Sequence, residues 1–145
     1  MFRVLPPVFR DFGATRPFHG SVLTVRALED NSRVREAVNT PGAGRVLVVD
    51  GGASLRHALV GGNLAAAAMR NGWAGLVIDG CVRDVIELRA CGLPVRALAS
   101  MPVAPRKFGE GVAGQPVRIQ GIQVHPGDWL YADDDGIVLA DRQLI

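Results

Sequence analysis

Two short segments of this chain carry residue types that could do chemistry. One is Gly61-Gly62-Asn63-Leu64, and the other is Arg83-Asp84 followed, three positions after the aspartate, by Glu87. An arginine guanidinium can hold a carboxylate through two charge-assisted hydrogen bonds. An aspartate offers a hard oxygen ligand to Mg²⁺, which keeps several of its waters and so needs few protein ligands. Such residues could build a divalent-metal site, for Mg²⁺ or Mn²⁺, that binds a small carboxylate.

The glycine-containing segment lies at the start of a predicted helix over residues 63–70, where leucine and alanine have high helix propensity. A helix N-terminus presents unpaired N–H groups and partial positive charge, which suit a carboxylate or phosphate. Two glycines would let such a ligand approach the backbone closely. The alternative is a plain tight turn with Asn63 as the N-cap, and the segment by itself favours that alternative.

The Arg83-Asp84 segment also has two interpretations. If residues 83–91 are helical, Arg83, Asp84 and Glu87 share one face and are free to bind a ligand. The remaining apolar residues would pack inward: Val85, Ile86, Leu88 and Cys91. The alternative is a surface Arg83–Glu87 ion pair worth about 0.3–0.5 kcal/mol, with Asp84 as a favourable charge at the helix start. Residue types alone favour this second interpretation.

Other polar motifs give weaker indications. Asp133-Asp134-Asp135-Gly136 lacks the spacing and the late glutamate of a calcium loop, so it predicts a hairpin turn. His19, His57 and His125 are isolated and accompany no nucleophile elbow, which predicts structural or exposed histidines. Asp50-Gly51-Gly52 follows an apolar run but matches neither the dinucleotide nor the P-loop pattern.

The elements around these segments read as alternating strands and helices. Residues 45–50 and 73–79 are continuous apolar runs, typical of strands buried on both faces. With the helix at 63–70 between them, they predict a βαβ-like unit. In such sheets ligands gather at the carboxyl ends of the strands, where both candidate segments lie.

The rest of the chain supplies further elements. We predict an irregular lead-in over residues 1–20, a helix over 32–38, a short turn or strand over 55–59 and a loop over 102–115. Strands are predicted at 21–28, 95–101, 117–120, 122–125, 129–132 and 137–140. The fold class is therefore α/β, with one domain over residues 1–145 that forms a layered sandwich with a mixed sheet rather than a Rossmann fold.

Composition limits the classes of function. Of the residues, 48% are hydrophobic and 21% charged, as in ordinary globular proteins. The formal net charge is +2 and no basic arm is present, so we expect no direct nucleic-acid binding. Cys81 and Cys91 are too few for a disulfide scaffold and lack zinc-site spacing. No secretory signal and no apolar run near the roughly 20 residues of a membrane span are found, so we expect a cytoplasmic protein without a membrane partner.

The segment VLVVDGGASLRHALVGGNLAAAAMRNGWAGLVIDGCVRDVIEL resembles the centre of the RraA-like family. VFRDFGATRPFHGSVLTVRALEDNS before it and GDWLYADDDGIVL after it fit as well. The family motif is a glycine, twenty residues, Arg-Asp, two residues and an acid. Here it reads Gly62, twenty residues, Arg83-Asp84, two residues and Glu87. Members of the family act as 4-hydroxy-4-methyl-2-oxoglutarate aldolases or as regulators of ribonuclease E.

The resemblance implies a fold and a set of roles. The fold is an α/β sandwich of the swivelling-domain type, assembled as a homotrimer or a dimer of trimers with sites near subunit boundaries. Asp84 would hold Mg²⁺ or Mn²⁺, partly through water. Arg83 and the backbone of Gly61-Gly62-Asn63-Leu64 would hold the substrate, and Glu87 could order a water on the metal.

The activity implied is metal-dependent cleavage of 4-hydroxy-4-methyl-2-oxoglutarate into two pyruvates. Oxaloacetate decarboxylation should accompany it, because both reactions pass through the pyruvate enolate. One departure matters: established aldolases of the family carry an aspartate where this chain has Gly62, and a C-terminal acid that reaches a neighbouring site. The alternative is a non-catalytic regulator that binds ribonuclease E or a related RNA-processing partner. A quinone methyltransferase is disfavoured, since no Gly-rich loop is followed by an acidic ribose ligand.

Overall fold

The computed structural model describes residues 2–145, which form three helices and twelve strands. The helices are α1 (Ser32–Val38), α2 (Gly62–Arg70) and α3 (Val85–Ala90). The strands are β1 (Phe2–Val4), β2 (Arg10–Asp11), β3 (Phe18–Arg26), β4 (Val46–Asp50), β5 (Ala58–Val60), β6 (Gly75–Val82), β7 (Val95–Ser100), β8 (Val112–Ala113), β9 (Val117–Ile119), β10 (Ile122–Val124), β11 (Trp129–Asp133) and β12 (Gly136–Ala140).

One large mixed sheet organises the molecule. Its strand order is β1-β12-β11-β3-β4-β6-β7-β2, with β5 on β6 and β8 on β3. β3, β4, β6 and β7 run parallel, whereas β11, β12, β1 and β2 pair antiparallel. β9 and β10 form a separate hairpin. The α/β class and the mixed sheet that the sequence predicts are confirmed.

The central strands are apolar throughout because both of their faces are covered. In β4, Leu47 and Val49 belong to a core cluster with residues of all three helices. Val46 and Val48 point to the other face and pack in a cluster that contains β9, β10, β11 and β12. Helices thus cover one face and a hairpin with antiparallel strands covers the other, which is the layered arrangement that a continuous apolar strand requires.

Three segments differ from the sequence-based expectation. The loop predicted over residues 102–115 contains the short strand β8, which pairs with β3. Residues 1–20 were expected to be irregular, but they contain β1, β2 and the first part of β3. β1 pairs with β12 and β2 with β7, so these strands depend on partners that are distant in sequence. The helix expected over residues 83–91 is shorter and begins at Val85, and Ile86, expected to pack inward, is 81% exposed.

The later start of α3 has a cause in the sheet. β6 continues to Val82 because this residue pairs with Val60 of β5 and with Ser100 of β7. Arg83 and Asp84 therefore follow directly on the carboxyl end of a buried strand rather than on a helix face. Among residues 2–145, no helix is long and apolar enough to cross a bilayer.

Candidate carboxylate and metal site

A small cavity opens where β5 and β6 end and α2 begins. Its volume is about 100 Å³. Five parts of the chain contribute to its wall: the start of α1, β5, the start of α2, the turn after β6, and the loop after β7. Its lining residues are Asn31, Arg35, Ala58, Leu59, Gly61, Asn63, Leu64, Arg83, Asp84, Pro105 and Lys107.

Asp84 connects the two segments that the sequence analysis singled out. Its Oδ2 accepts a hydrogen bond of 3.0 Å from the backbone N–H of Gly62, 22 residues away. Asp84 also has a left-handed backbone, with φ of 60° and ψ of 48°, and precedes α3 without capping it through its side chain. A non-glycine residue in this conformation is uncommon and such residues cluster at functional sites. The conformation directs the carboxylate toward α2 instead of along its own helix.

Arg83 is anchored through its backbone and leaves its side chain available. Its N–H donates to the carbonyl of Val60 at 3.0 Å. Within residues 2–145 the guanidinium makes no ion pair, so the surface pair with Glu87 that residue types favoured is not formed. The side chain lines the cavity on one side and, on the other, a groove formed with residues 100–102.

Both glycines at the start of α2 have close neighbours at the place that a Cβ would occupy. A Cβ at Gly61 would overlap Oδ2 of Asp84. A Cβ at Gly62 would overlap Oε2 of Glu87 and would lie 2.9 Å from the Cβ of that residue. The carboxylates of Asp84 and Glu87 therefore occupy the space that side chains at these two positions would fill.

The helix terminus differs in detail from the tight-turn alternative. Gly61, not Asn63, is the N-cap, and α2 begins at Gly62. The N–H of Gly62 is engaged by Asp84, while the N–H groups of Asn63 and Leu64 lie in the first turn, where a helix has no acceptor for them. Of the predicted substrate-binding residues, Gly61, Asn63 and Leu64 line the cavity with Arg83, and Gly62 lies behind them in contact with Glu87.

Three polar residues of the cavity were not singled out from the sequence. Asn31 is buried, and its side-chain N–H₂ donates to the carbonyl of Leu59 at 2.9 Å. Arg35 comes from α1, and Lys107 comes from the loop between β7 and β8. No local spacing connects these residues with Arg83, so only the packing of α1 and of the loop brings them together.

The donor set suits a hard divalent ion that keeps most of its water. Among residues 2–145 no group of three or more His, Cys, Asp or Glu side chains could enclose a metal. The carboxylate of Asp84 is exposed, and the structure records one hydrogen bond to it, at Oδ2. Mg²⁺ commonly binds through one or two carboxylates together with waters and substrate oxygens. Asp84 with Glu87 nearby fits that mode and does not fit a closed zinc-type cage.

The other candidates of the sequence analysis lie elsewhere. His19 stacks on Tyr131, His57 lies 2.7 Å from the carbonyl of Ala104 through Nδ1, and His125 is exposed. Residues 133–136 form the β11–β12 hairpin turn, as predicted. None of them touches the cavity.

Two further groups are buried away from the cavity. Burial raises the pKa of the Cys81 thiol. Burial also raises the pKa of Asp79, with Asp50 adding to the effect and hydrogen bonds from Gln120 opposing it. Asp79 and Gln120 connect β6 to the β9–β10 hairpin.

Comparisons with known proteins place this geometry in context. A family model described as RraA-like, Aldolase/RraA, matches residues 3–139. A proposed 4-hydroxy-4-methyl-2-oxoglutarate aldolase from Albidiferax ferrireducens is 62% identical over 152 residues, covering 99% of this chain and 88% of the relative. The solved structure of the RNA-processing inhibitor RraA from Thermus thermophilis is 46% identical, with a TM-score of 0.96 and coverage of 99% and 88%. A solved structure from Geobacillus kaustophilus HTA426, described as an S-adenosylmethionine:2-dimethylmenaquinone methyltransferase, is 41% identical, with a TM-score of 0.95 and coverage of 99% and 89%.

Proposed function

Because the chain belongs to the RraA-like family, we propose that it is a divalent-metal-dependent lyase that cleaves 4-hydroxy-4-methyl-2-oxoglutarate into two pyruvates. The observation that carries the proposal is the convergence of Arg83, Asp84 and the start of α2 on one cavity. The name borne by the Albidiferax relative supports the same substrate. Oxaloacetate decarboxylation is proposed as a second activity of the same site.

Substrate binding follows from the unpaired donors. The guanidinium of Arg83 faces the cavity without a protein carboxylate on it, so it can form two parallel hydrogen bonds to the substrate's 1-carboxylate. The free N–H groups of Asn63 and Leu64 add donors with the partial positive charge of a helix start. Together these groups orient the 2-oxo acid end of the substrate against Asp84.

Asp84 would hold Mg²⁺ or Mn²⁺, with Glu87 contributing through water. When bound, the ion supplies Lewis-acid charge beside the carboxylate and keto oxygens of the substrate. The hydrogen bond from Gly62 fixes Oδ2 of Asp84, and no hydrogen bond to Oδ1 is recorded within residues 2–145. A fixed ligand matters because charge that is already in place need not reorganise during the reaction.

Cleavage of the C3–C4 bond requires a proton acceptor. As the bond breaks, its electron pair passes into the enolate of one pyruvate, and the C4 hydroxyl loses a proton to become the keto group of the other. The enolate becomes pyruvate when C3 takes up a proton from water. Glu87 lies beside the start of α2, with its carboxylate against Gly62. We propose that Glu87 holds a water that accepts the C4 hydroxyl proton. In established aldolases of the family, an aspartate at the position of Gly62 has this task.

A pyruvate-release assay tests the proposal. With Mg²⁺ or Mn²⁺, the protein should release pyruvate from 4-hydroxy-4-methyl-2-oxoglutarate and from oxaloacetate faster than metal and buffer alone. Arg83→Ala and Asp84→Ala should each lower kcat/KM by about a hundredfold or more, since each removes a charge that stabilises the transition state. Arg70→Ala, an exposed arginine at the end of α2, is the matched control. A folded protein without activity on either substrate, or variants with unchanged rates, would contradict the proposal.

The role of Glu87 gives a sharper test, because decarboxylation does not remove a hydroxyl proton. Glu87→Gln keeps the shape of the side chain and removes the carboxylate charge that holds the proton-accepting water. We expect aldol cleavage to fall about a hundredfold, in the range typical of a lost general base, and oxaloacetate decarboxylation to fall much less. Equal losses in both reactions would assign Glu87 to binding or structure instead.

A second candidate function is the restraint of ribonuclease E or a related RNA-processing enzyme. It is favoured by the similarity to the RNA-processing inhibitor from Thermus thermophilis and by Phe108, which is 75% exposed on the loop after β7. An exposed aromatic residue on a fixed loop is typical of a residue that binds a partner. Capture of purified ribonuclease E by the wild-type chain but not by Phe108→Ala would support this function, and no capture by either would contradict it.

A further inference from the structure

The cavity carries more positive charge than its own carboxylate balances. Three cationic side chains line it, Arg35, Lys107 and Arg83, against one anionic side chain, that of Asp84. Within residues 2–145 none of the three cationic groups makes a side-chain hydrogen bond or an ion pair, although other arginines do. Unpaired cations that converge on one cavity favour a ligand with more than one negative group.

Arg35 lies on a helix whose start is fixed by hydrogen bonds. It lies on α1, where its N–H donates to the carbonyl of Asn31 at 2.9 Å. Asn31 in turn binds the carbonyl of Leu59 in β5, so the start of α1 is tied to the floor of the cavity. Arg35, which lines the cavity together with Arg83, therefore comes from a helix whose start is fixed to the sheet.

Lys107 is held in place by the backbone on both of its sides. The N–H of Arg106 donates to the carbonyl of Glu29 at 2.7 Å, and the carbonyl of Arg106 accepts from Asn31 at 3.1 Å. The N–H of Phe108 donates to Oδ2 of the buried Asp30 at 2.6 Å. Hydrogen bonds thus fix the loop immediately before and after Lys107, which lines the cavity.

We infer that Arg35 and Lys107 form a second anion subsite that binds the distal carboxylate of a 2-oxodicarboxylate and selects it over monocarboxylic 2-oxo acids. The inference rests on the proposed function in one respect: Arg83 and the metal on Asp84 would bind the 2-oxo acid end of the substrate. The distal carboxylate of a five-carbon 2-oxo diacid then extends across the cavity toward α1 and the loop. Arg35 and Lys107 are both exposed, so a monocarboxylic 2-oxo acid would leave them in water and would lose the charge-assisted hydrogen bonds that a distal carboxylate forms with them.

A binding experiment isolates this subsite from turnover. 2-Oxoglutarate has the carbon skeleton of the proposed substrate but no C4 hydroxyl, so it cannot undergo the cleavage. 2-Oxopentanoate is its matched partner, with a methyl group in place of the distal carboxylate. Titration calorimetry with Mg²⁺ should show that the wild-type chain binds 2-oxoglutarate about tenfold to a hundredfold more tightly, as expected for charge-assisted hydrogen bonds.

Arg35→Gln and Lys107→Gln remove the charges and keep most of the side-chain length. Each should reduce the preference for 2-oxoglutarate, and the double variant should bind both acids about equally, with the affinity for 2-oxopentanoate unchanged. Arg70→Ala should keep the full preference. Equal binding of the two acids by the wild type, no binding of 2-oxoglutarate, or a preference that survives in the double variant would overturn the inference.

The failure of the subsite and the failure of the lyase are distinguishable. If the wild type shows the preference and the double variant loses it, but no pyruvate is released from 4-hydroxy-4-methyl-2-oxoglutarate, the subsite is supported and the lyase proposal is contradicted. If pyruvate is released and the variants lower kcat/KM equally for this substrate and for 4-hydroxy-4-methyl-2-oxopentanoate, the lyase is supported and the subsite is overturned.

Discussion

At the scale of single residues, two contacts shape the candidate site, and both join a carboxylate side chain to the backbone at the start of α2. The carboxylate of Asp84 accepts a hydrogen bond from the N–H of Gly62, the first residue of α2. Glu87 fills the space beside Gly62 where a side chain would begin. A carboxylate from α3 thus lies beside position 62.

Gly62→Ala tests this packing. The new Cβ would meet the Cβ as well as the carboxylate of Glu87, so the side chain cannot relieve the overlap by rotating only its far end. We expect the free energy of unfolding to fall by about 1–3 kcal/mol, as for other overpacked sites. Chemical denaturation measures the change.

The control is Glu87→Ala, which opens the same space from the other side. Gly62→Ala combined with Glu87→Ala should recover part of the lost stability, because the overlap with the Glu87 carboxylate is removed while the 2.9 Å contact with the Cβ at position 87 remains. Two independent effects that simply add would contradict the placement of Glu87 against Gly62.

At the scale of elements, the loop between β7 and β8 is positioned by the segment that precedes α1. Asp30 is buried and accepts hydrogen bonds from the N–H groups of Ser32 and Phe108. Burial opposes its ionisation, but these hydrogen bonds prevail and lower the pKa of Asp30 below its usual 3.8. One carboxylate thus serves the start of a helix and the loop that carries Lys107.

Asp30→Ala should lower the free energy of unfolding by about 3 kcal/mol, since two hydrogen bonds to a buried charge are lost. Hydrogen exchange in residues 106–109 should rise at the same time, because the loop loses its anchor. Asp134→Ala, at the exposed β11–β12 turn, is the control and should change neither quantity. Unchanged exchange in the loop would contradict the anchoring role.

Glu29, in the same segment before α1, should make the stability of the protein depend on pH in the acid range. Two hydrogen bonds from Arg56 and one from Ser54 lower the pKa of Glu29 from 4.5 to about 2. A carboxyl whose pKa is depressed in the folded state contributes stability above its unfolded pKa and loses it as the pH falls. We therefore expect the stability to decline from pH 4.5 toward pH 2, and Glu29→Gln to make the decline shallower in denaturation curves measured across that range. Parallel curves would contradict the expectation.

At the scale of the whole molecule, several apolar side chains at one end of the sheet lie uncovered in the single chain. Phe2 and Val4 of β1 are 62% and 55% exposed, and Ile145 is 85% exposed. A cavity of about 620 Å³ lies beside them, lined in part by Val4, Tyr131 and Ile145. Exposed apolar surface of this kind is common at interfaces between subunits.

We expect the chain to assemble as a trimer or as a dimer of trimers, as its family resemblance implies. Sedimentation equilibrium should give three or six times the chain mass of 15.4 kDa. The association should persist at high salt if apolar contacts dominate it, because salt screens charges and not apolar burial. A monomer or a simple dimer at micromolar concentration would contradict this expectation.

The sequence by itself determined the elements whose signals are local. Apolar runs predicted β4 and most of β6, and leucine and alanine predicted α2, because buried strands and helix propensity are recorded in consecutive residues. α1 was predicted with the bounds Ser32–Val38 that the structure shows. The spacing from Gly62 to Arg83-Asp84, together with the family resemblance, selected the segments that line the cavity.

Only the tertiary structure decided how those residues meet. The prediction of one helical face for Arg83, Asp84 and Glu87 was wrong, because pairing with β5 and β7 keeps β6 extended to Val82 and moves the start of α3 to Val85. β1 and β2 were not predicted because they also depend on pairing with distant strands, β12 and β7. The contribution of Arg35 and Lys107 to the cavity also depends on long-range packing. Sequence patterns report the preferences of neighbouring residues, whereas a site at the end of a sheet is built from chain segments that only folding brings together.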